Sequence, residues 1–188
     1  MPQKRKPRAG SLAYWPRVRS KRPFPRVRTW VGSKEVKPLG FAGYKVGMIH
    51  LIINDNKKSS TTKGMDIFCP ATLIETPPLK AASIKFYKNT VYGSKLIYEQ
   101  IAENFDKELK RSIIPPKKKK ENKSVDFDYI RLLVHTNPSL TTIGKKKPEM
   151  FEIAIGGNKE EQLNYAKEKL GKEINIAEVF KEGQQLDI

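Results

Sequence analysis

Positive charge in this sequence is concentrated at the N-terminal end, and this concentration limits what that end can fold into. Residues 1–40 contain twelve Lys or Arg side chains, one acidic residue, Glu35, and six of the thirteen prolines. Because like charges repel and proline removes backbone donors and favours extended geometry, such a segment cannot build a core of its own. The sequence therefore predicts an extended basic tail over residues 1–39, followed by a folded body.

Aromatic residues are interleaved with the cations of this tail. Both tryptophans of the chain, Trp15 and Trp30, lie here, together with Tyr14 and Phe24. A solvated tail rarely keeps such residues, whereas a segment that stacks on bases or docks in a groove needs them. Arginine is also preferred over lysine in this tail, and guanidinium groups bind phosphates through paired hydrogen bonds and stack on planar rings. The tail is therefore predicted to bind nucleic acid. The candidate contacts in the tail are Lys4, Arg5, Lys6, Arg8, Tyr14, Trp15, Arg17, Arg19, Lys21, Arg22, Arg26, Arg28 and Trp30.

The overall composition agrees with a nucleic-acid partner. The formal net charge is +17, and a chain this basic attracts polyanions, nucleic acid first and anionic membranes second. A proline-rich tail cannot form the basic amphipathic helix of a membrane-surface protein, and no apolar run approaches a span of about 20 residues. The single cysteine, Cys69, allows no disulfide within the chain and fits a reducing compartment. We expect a cytoplasmic protein without signal peptide or membrane contact.

Hydrophobic periodicity predicts strands and helices in the body. Strands are predicted at Met48–Ile53, which reads as mostly buried, and at Ile67–Glu75, Leu79–Lys88, Tyr129–His135 and Met150–Ile155. A further strand is expected to start at Gln184–Ile188. Helices are predicted at Ser94–Ser112 and Asn158–Gly171, with a short helical turn at Ile174–Phe180. In the second helix Leu163, Ala166 and Leu170 are expected to face inward, and Gly171 to end it.

This order of elements predicts a mainly β protein with an α+β insertion. Three β segments separated by turns over residues 40–90 suggest a sheet or small barrel, whereas helices and strands alternate over about 90–175. We therefore expect a partial β-barrel from residues 40–90 and 176–188, with an α/β domain over 91–175 inserted into it.

Catalytic and metal-binding constellations are hard to find. His50, His135 and Cys69 match no metal-ligand spacing. His50 is expected to be a core or interface histidine, and Asp126 and Asp128 are expected to be solvated. No nucleotide-binding glycine motif is present. The sequence predicts neither an enzyme nor a cofactor.

Glycines and lysine runs in the body give weaker signals. The glycines around Lys45 allow the backbone to approach either a phosphate or a neighbouring strand. In GKKKP, the residues Lys145, Lys146 and Lys147 lie in a rigid Gly–Pro frame and are predicted to contact RNA. The run Lys117–Lys120 has no aromatic neighbours and is either a solvated loop or a contact.

Several motifs resemble one known family. The runs RKPRAGSLAYWPRVRSKR, GFAGYKVGMIH and ATLIETPPLKAASIKFY, followed by KKKPEMFEIAIGG and IAEVFKEGQQLDI, resemble the archaeal and eukaryotic form of large-subunit ribosomal protein three over the whole chain. The resemblance implies a translation-protein-type β-barrel with an inserted α/β domain. It also implies binding to large-subunit ribosomal RNA early in assembly, near the peptidyl-transferase region, beside neighbouring ribosomal proteins. The implied contacts fall on Arg5–Arg8, Ser11–Trp15, Arg17–Arg28 and Gly40–Lys45.

Members of that family continue past the element that matches Gln184–Ile188. The resemblance implies a long basic finger there and a return of the chain to complete the barrel. We therefore expect a continuation of this chain, or a second polypeptide, to supply the remaining strands. A different class of function stays open on composition alone, namely a free RNA chaperone or single-strand binder with the tail as its grip. Sedimentation with large subunits distinguishes the two classes.

Overall fold

The computed structural model describes residues 7, 10, 11, 18–114 and 126–188. The strands are β1 (Tyr44–Asn54), β2 (Asp66–Glu75), β3 (Leu79–Thr90), β4 (Gly93–Ile101), β5 (Tyr129–His135), β6 (Met150–Ala154) and β7 (Glu173–Ile174). The helices are α1 (Lys159–Lys169) and α2 (Ile176–Val179), with single 3-10 turns at Leu109–Arg111 and Pro138–Leu140. The described chain is thus mainly β, as predicted. None of its helices is both long and apolar enough to cross a membrane.

Strands β1 and β2 form an antiparallel hairpin that stands apart from the other strands. Their register runs from Tyr44 opposite Glu75 to Asn54 opposite Asp66, with an irregularity after Lys45. Both strands were predicted, but the predicted burial of Met48–Ile53 is wrong in this structure. Ile52 and its partner Phe68 are 67% and 77% exposed, because no other described strand pairs with the hairpin and nothing described covers its faces. The described residues therefore contain no closed barrel.

The second sheet has the strand order β4-β3-β5-β6, with β7 added beside β3. All of its pairings are antiparallel. The expectation that β3 shares a sheet with β1 and β2 is wrong in this structure. Pro77 and Pro78 separate β2 from β3, and proline cannot donate to a ladder, so the chain changes sheets at this point. The predicted division of the chain into three domains stays a prediction.

The hydrophobic core lies between one face of this sheet and helix α1. Ile84, Leu132 and Ile153 occupy neighbouring strands of that face and are fully or almost fully buried. Ala166 of α1 is buried against them, and Leu163 and Leu170 pack at its edges, as predicted. Each buried branched aliphatic side chain contributes about 1.5–3 kcal/mol, so this layer provides the main stabilisation of the body.

Two predicted elements are wrong. Residues 94–112 form strand β4 and a segment with a single 3-10 turn rather than an α-helix, although Ile97, Ile101 and Phe105 have helical spacing. A turn closed by Gly93, whose φ is 110°, folds the chain back so that β4 pairs with the open edge of β3. Pairing along that edge outweighs the weak helical periodicity. Gln184–Ile188, expected to begin a strand, is irregular and pairs with no described strand.

The segment before β1 docks onto the far end of β6. Leu39 N–H donates to the Ala154 carbonyl at 2.9 Å, and Gly156 N–H donates to the Lys37 carbonyl at 2.9 Å. Gly157 N–H donates to the Ser33 carbonyl at 2.8 Å, at a φ of 89° that favours glycine. These bonds fix residues 33–39, here called the anchor segment, to the five-stranded sheet.

Gly156 is the position where this docking leaves no space. A Cβ built there would lie 2.2 Å from the Glu35 carbonyl oxygen. We expect Gly156→Ala to lower the free energy of unfolding by about 1–3 kcal/mol and to expose Lys34 to trypsin, because the anchor segment must shift. Urea unfolding and limited proteolysis measure the two effects. Gly32→Ala is the matched control, since nothing lies within 4 Å of its Cβ position. Equal stability of the two variants would contradict this account.

Candidate nucleic-acid interface

The described part of the tail presents cations that form no ion pair with another described residue. Residues 18–32 are irregular, and the candidate side chains Arg19, Lys21, Arg22, Arg26 and Arg28 are all exposed. None of these five forms an ion pair with a described carboxylate. The only acid of the tail region, Glu35, pairs with Lys37 at 2.5 Å, and this contact lowers the pKa of the Glu35 carboxyl. The tail charges therefore remain available to an external anion.

Two aromatic residues of the tail pack on the folded body. The ring of Phe24 lies 5.5 Å from that of Phe151 in β6. Trp30 packs against the hydrophobic core cluster, and its Nε1 atom is buried without a hydrogen-bond partner. Its ring also lies 3.1 Å from where a Cβ on Gly40 would stand. These contacts hold the tail along β6. Stacking of Trp30 on RNA stays a prediction.

A buried threonine, Thr136, connects the start of β1 with the segment that follows the GKKKP turn. Thr136 Oγ1 shares a 2.7 Å hydrogen bond with the Tyr44 hydroxyl at the start of β1. The same oxygen accepts a 3.0 Å hydrogen bond from the backbone N–H of Glu149, just before β6. Lys45 follows Tyr44 and is exposed, so the start of β1 and the GKKKP turn meet at this point. No sequence pattern singled out Thr136, because its two partners are distant in the chain.

The three lysines of that turn differ in whether their charge is free to bind an external anion. Lys145 forms an ion pair with Glu149, so part of its charge is neutralised within the chain. Lys146 and Lys147 are exposed and have no described ion-pair partner. Gly144 supports the turn with a φ of 71°. Because the turn leads into β6, whose Phe151 contacts the tail, Lys146, Lys147 and the tail cations lie along the same edge of the sheet.

Several other basic residues of the body are already paired. On the sheet face opposite the core, Lys85 donates to Glu152 at 2.8 Å, and Arg131 lies over the stacked rings of Tyr87 and Tyr129. Burial, reinforced by Glu152, raises the pKa of the Tyr87 hydroxyl. Lys88 pairs with Asp126 at 2.7 Å. The body thus neutralises much of its own charge, while the tail does not.

Several predicted residues lie outside the described part of the chain. These are Lys4, Arg5, Lys6, Arg8, Tyr14, Trp15, Arg17 and the run Lys117–Lys120. Ser11, implied by the resemblance, is described and exposed. The glycines around Lys45 were predicted to let the backbone approach either a phosphate or a neighbouring strand. At Gly43 a Cβ would lie 2.5 Å from Ile74 of β2, so close approach to a neighbouring strand explains this glycine.

The histidines and the described acidic residues near them form no catalytic arrangement. His50 is exposed on β1, so the core alternative is wrong in this structure, and a place at an interface stays a prediction. His135 is buried beside Asp106, and burial lowers its pKa. Asp126 is exposed but ion-paired with Lys88, and Asp128 accepts a hydrogen bond from the Asn89 backbone. The residues described here include no cluster of potential metal ligands.

The described tail and the adjoining turn carry clustered cations without a described ion-pair partner, and aromatic residues attach the tail to the body. Such an arrangement is typical of proteins that bind nucleic acid. The family model described as ribosomal protein L3 matches residues 1–188. The chain belongs to this family.

Proteins named large ribosomal subunit protein uL3 are similar to the chain. Those of Methanobrevibacter smithii and Methanocaldococcus jannaschii are 44% and 45% identical to it over 96% and 97% of its length. The uL3 of Archaeoglobus fulgidus is 43% identical over 97%. The chain spans 56–57% of the length of these relatives.

Trp30 provides a test of how the tail is held. The variant Trp15→Phe leaves Trp30 as the sole tryptophan, and we expect its fluorescence to be blue-shifted in the free chain and to become that of solvated indole on unfolding in urea. Trp30→Ala should lower the free energy of unfolding by about 1–2 kcal/mol, because a partly buried ring is lost. Solvated emission from Trp30 in the folded chain would show that the ring does not pack on the body.

Proposed function

We propose that this chain is a structural component of the large ribosomal subunit that binds large-subunit ribosomal RNA through its basic tail and the adjoining edge of the five-stranded sheet. The observation that carries the proposal is the concentration of cations without a described ion-pair partner in the tail. The described tail residues Arg19 to Arg28 have no carboxylate partner, whereas Lys85, Lys88 and Arg131 of the body do. Family membership and the names of the relatives support the same proposal.

In this proposal the partners are ribosomal RNA and neighbouring proteins of the large subunit in the cytoplasm. The chain supports assembly of the RNA near the peptidyl-transferase region and carries out no catalysis. Guanidinium groups of the tail bind phosphates through paired hydrogen bonds, and the rings of Tyr14 and Trp15 stack on unpaired bases. Phe24 and Trp30 attach the tail to the body. The tail segment that carries the preceding cations therefore starts from a fixed point on the body.

A free RNA chaperone is the second candidate, and its tail would grip many RNAs with similar affinity. Sucrose-gradient sedimentation of tagged protein from cells distinguishes the two. The proposal requires the protein to travel with large subunits and to remain there at moderate salt. Protein spread through the light fractions would favour the chaperone.

The tail's contribution is measurable through salt dependence. Deletion of residues 1–22 removes eight Lys or Arg side chains and keeps Phe24, Trp30 and the anchor segment. If about half of these cations bind phosphates, the log–log salt slope of rRNA binding should become shallower by roughly three, because each neutralised phosphate releases counterions.

A control variant carries residues 2–22 in shuffled order. It should keep the slope but lose the preference for large-subunit rRNA over an unrelated transcript of equal length. An unchanged slope after the deletion would sink the proposed role of the tail.

We further propose that the β1–β2 hairpin is part of a β-barrel completed by additional strands, from a continuation of this chain or from a second polypeptide. Ile52 and Phe68 make one face of the hairpin apolar, and Ile49, Leu51 and Ile53 do the same for the other. An isolated two-stranded hairpin is marginally stable in water, and exposed edges recruit partners. The greater length of the relatives is consistent with such strands.

The apolar hairpin should make the 188-residue chain self-associate. We expect sedimentation velocity to show concentration-dependent oligomers of the wild-type chain, and the double variant Ile52→Ser/Phe68→Ser to be monomeric, because the contiguous apolar surface is interrupted. Val91→Ser is the control, since Val91 is fully exposed in the β3–β4 turn. A wild-type chain that is monomeric at every concentration would contradict the need for covering strands.

A further inference from the structure

The loop that joins β1 to β2 is organised from within by one buried carboxylate. Asp55 is only 7% exposed, and its Oδ1 accepts a 3.0 Å hydrogen bond from the Lys57 backbone N–H. Its Oδ2 accepts a 2.7 Å hydrogen bond from the Thr62 hydroxyl, which is also 2.9 Å from Ser60 Oγ. Hydrogen bonds from Ser60, Lys57 and Thr62 lower the pKa of Asp55 to about 2. The carboxylate therefore stays ionised at neutral pH.

Backbone hydrogen bonds close the same loop. Asp55 N–H donates to the Met65 carbonyl at 3.0 Å, and Gly64 N–H donates to the Asp55 carbonyl at 2.8 Å. Gly64 has a φ of 81°, which lets the chain turn back toward β2. Asn54 adds a side-chain bond to Asp66 at 3.2 Å. The loop is thus a constructed turn with an ionised carboxylate at its centre.

None of the three lysine side chains of the loop forms a hydrogen bond with that carboxylate. Lys57, Lys58 and Lys63 are exposed, and no described carboxylate lies within ion-pair distance of any of them. Ser59 and Thr61, also exposed, add hydroxyl donors to the same surface. Lysines that merely solvate a surface need no such internal scaffold. An inward acid network with outward lysines instead holds several cations in a fixed arrangement for an anion.

The loop lies far from the edge that carries the tail. β1 starts at Tyr44, which is hydrogen-bonded to Thr136 of the body, and ends at Asn54 beside the loop. Eleven residues of strand extend about 33 Å, so the loop and the tail edge cannot contact the same phosphates. The loop was not among the candidate sites predicted from the sequence.

We propose that the β1–β2 loop, residues 55–65, is a second RNA-binding site in which Lys57, Lys58 and Lys63 bind backbone phosphates. The inference rests on the proposed function, since it concerns the same RNA. Because Asp55 orders the loop before binding, the lysines lose less conformational entropy when they engage phosphates. When one of two sites on the same protein is bound to the RNA, the effective concentration of the other site near its own RNA segment is also raised.

The experiment measures binding of the full 188-residue chain to in vitro transcribed large-subunit rRNA of Methanocaldococcus jannaschii over a series of salt concentrations. The triple variant Lys57→Gln/Lys58→Gln/Lys63→Gln should make the log–log salt slope shallower by roughly two. The matched control Lys88→Gln/Lys159→Gln/Lys169→Gln removes the same charge from lysines that pair with Asp126 or Glu178, and it should leave the slope unchanged.

The variant Asp55→Asn distinguishes the effect of loop order on RNA binding from the effect of the loop's net charge. It removes one negative charge, so simple electrostatics predicts tighter binding, whereas loss of the scaffold predicts weaker binding. We expect weaker binding, and we expect the control Glu182→Gln, at an exposed acid outside the loop, to bind as tightly as wild type or tighter. Tighter binding by Asp55→Asn would overturn the role of loop order.

A second test uses the wild-type complex. Its lysines are acetylated chemically, and mass spectrometry measures how far the rRNA protects each one. Lys57, Lys58 and Lys63 should be protected by the rRNA, with Lys95 of β4 as an exposed reference. Absence of protection, or a wild-type slope in the loop triple variant, would overturn the second site while leaving the tail's role intact. A wild-type chain that shows no salt-dependent rRNA binding would instead overturn the proposed function.

Discussion

Strand β3 is the element on which the arrangement of the described chain depends, because it is paired along both edges. It pairs with β5 along one edge and with β4 and β7 along the other, and its side chains contribute Leu79, Ile84 and Phe86 to the core. With β3 in the interior, β6 becomes the outer strand on one side of the sheet. That strand offers backbone groups at its far end to the anchor segment and the Phe151 ring to Phe24. The position of the basic tail therefore follows from the strand order of the sheet.

Ion pairs are unevenly distributed between the body and the tail of the described chain. Within the body, Glu152 is shared by Lys85 and Arg131, and Asp106 binds Lys80 at 2.6 Å. These partly buried pairs satisfy charges that would otherwise be costly to desolvate. Among the described residues of the tail, Lys37 is the one that forms an ion pair with an acid. Because nothing within the described chain compensates the remaining tail charges, a polyanion gains their full attraction without first breaking internal pairs.

The sequence predicted those parts of the fold that local pattern determines. Alternation located β2, β3, β5 and β6 to within a few residues, and the end of α1 followed from Gly171, whose φ is 75°. Strand β4 was misread as a helix because its apolar residues suit both periods and only the edge of β3 decides between them. The exposure of β1 was equally beyond local pattern, since burial of a strand depends on what covers it. For the interface, charge and proline content identified the tail cations, but not Thr136, whose partners Tyr44 and Glu149 are distant in sequence.

The anchored aromatics change how the tail's composition is understood. Aromatic residues among cations suggested a segment that stacks on bases or docks in a groove, and Phe24 and Trp30 contact the body. A tail attached at these two points loses part of its freedom before any RNA is present, so binding by its cations costs less conformational entropy than binding by a free chain would. The same reasoning applies to a loop ordered by Asp55. Both basic segments are then presented by the folded protein, and affinity for RNA depends on their relative placement as much as on the number of positive charges.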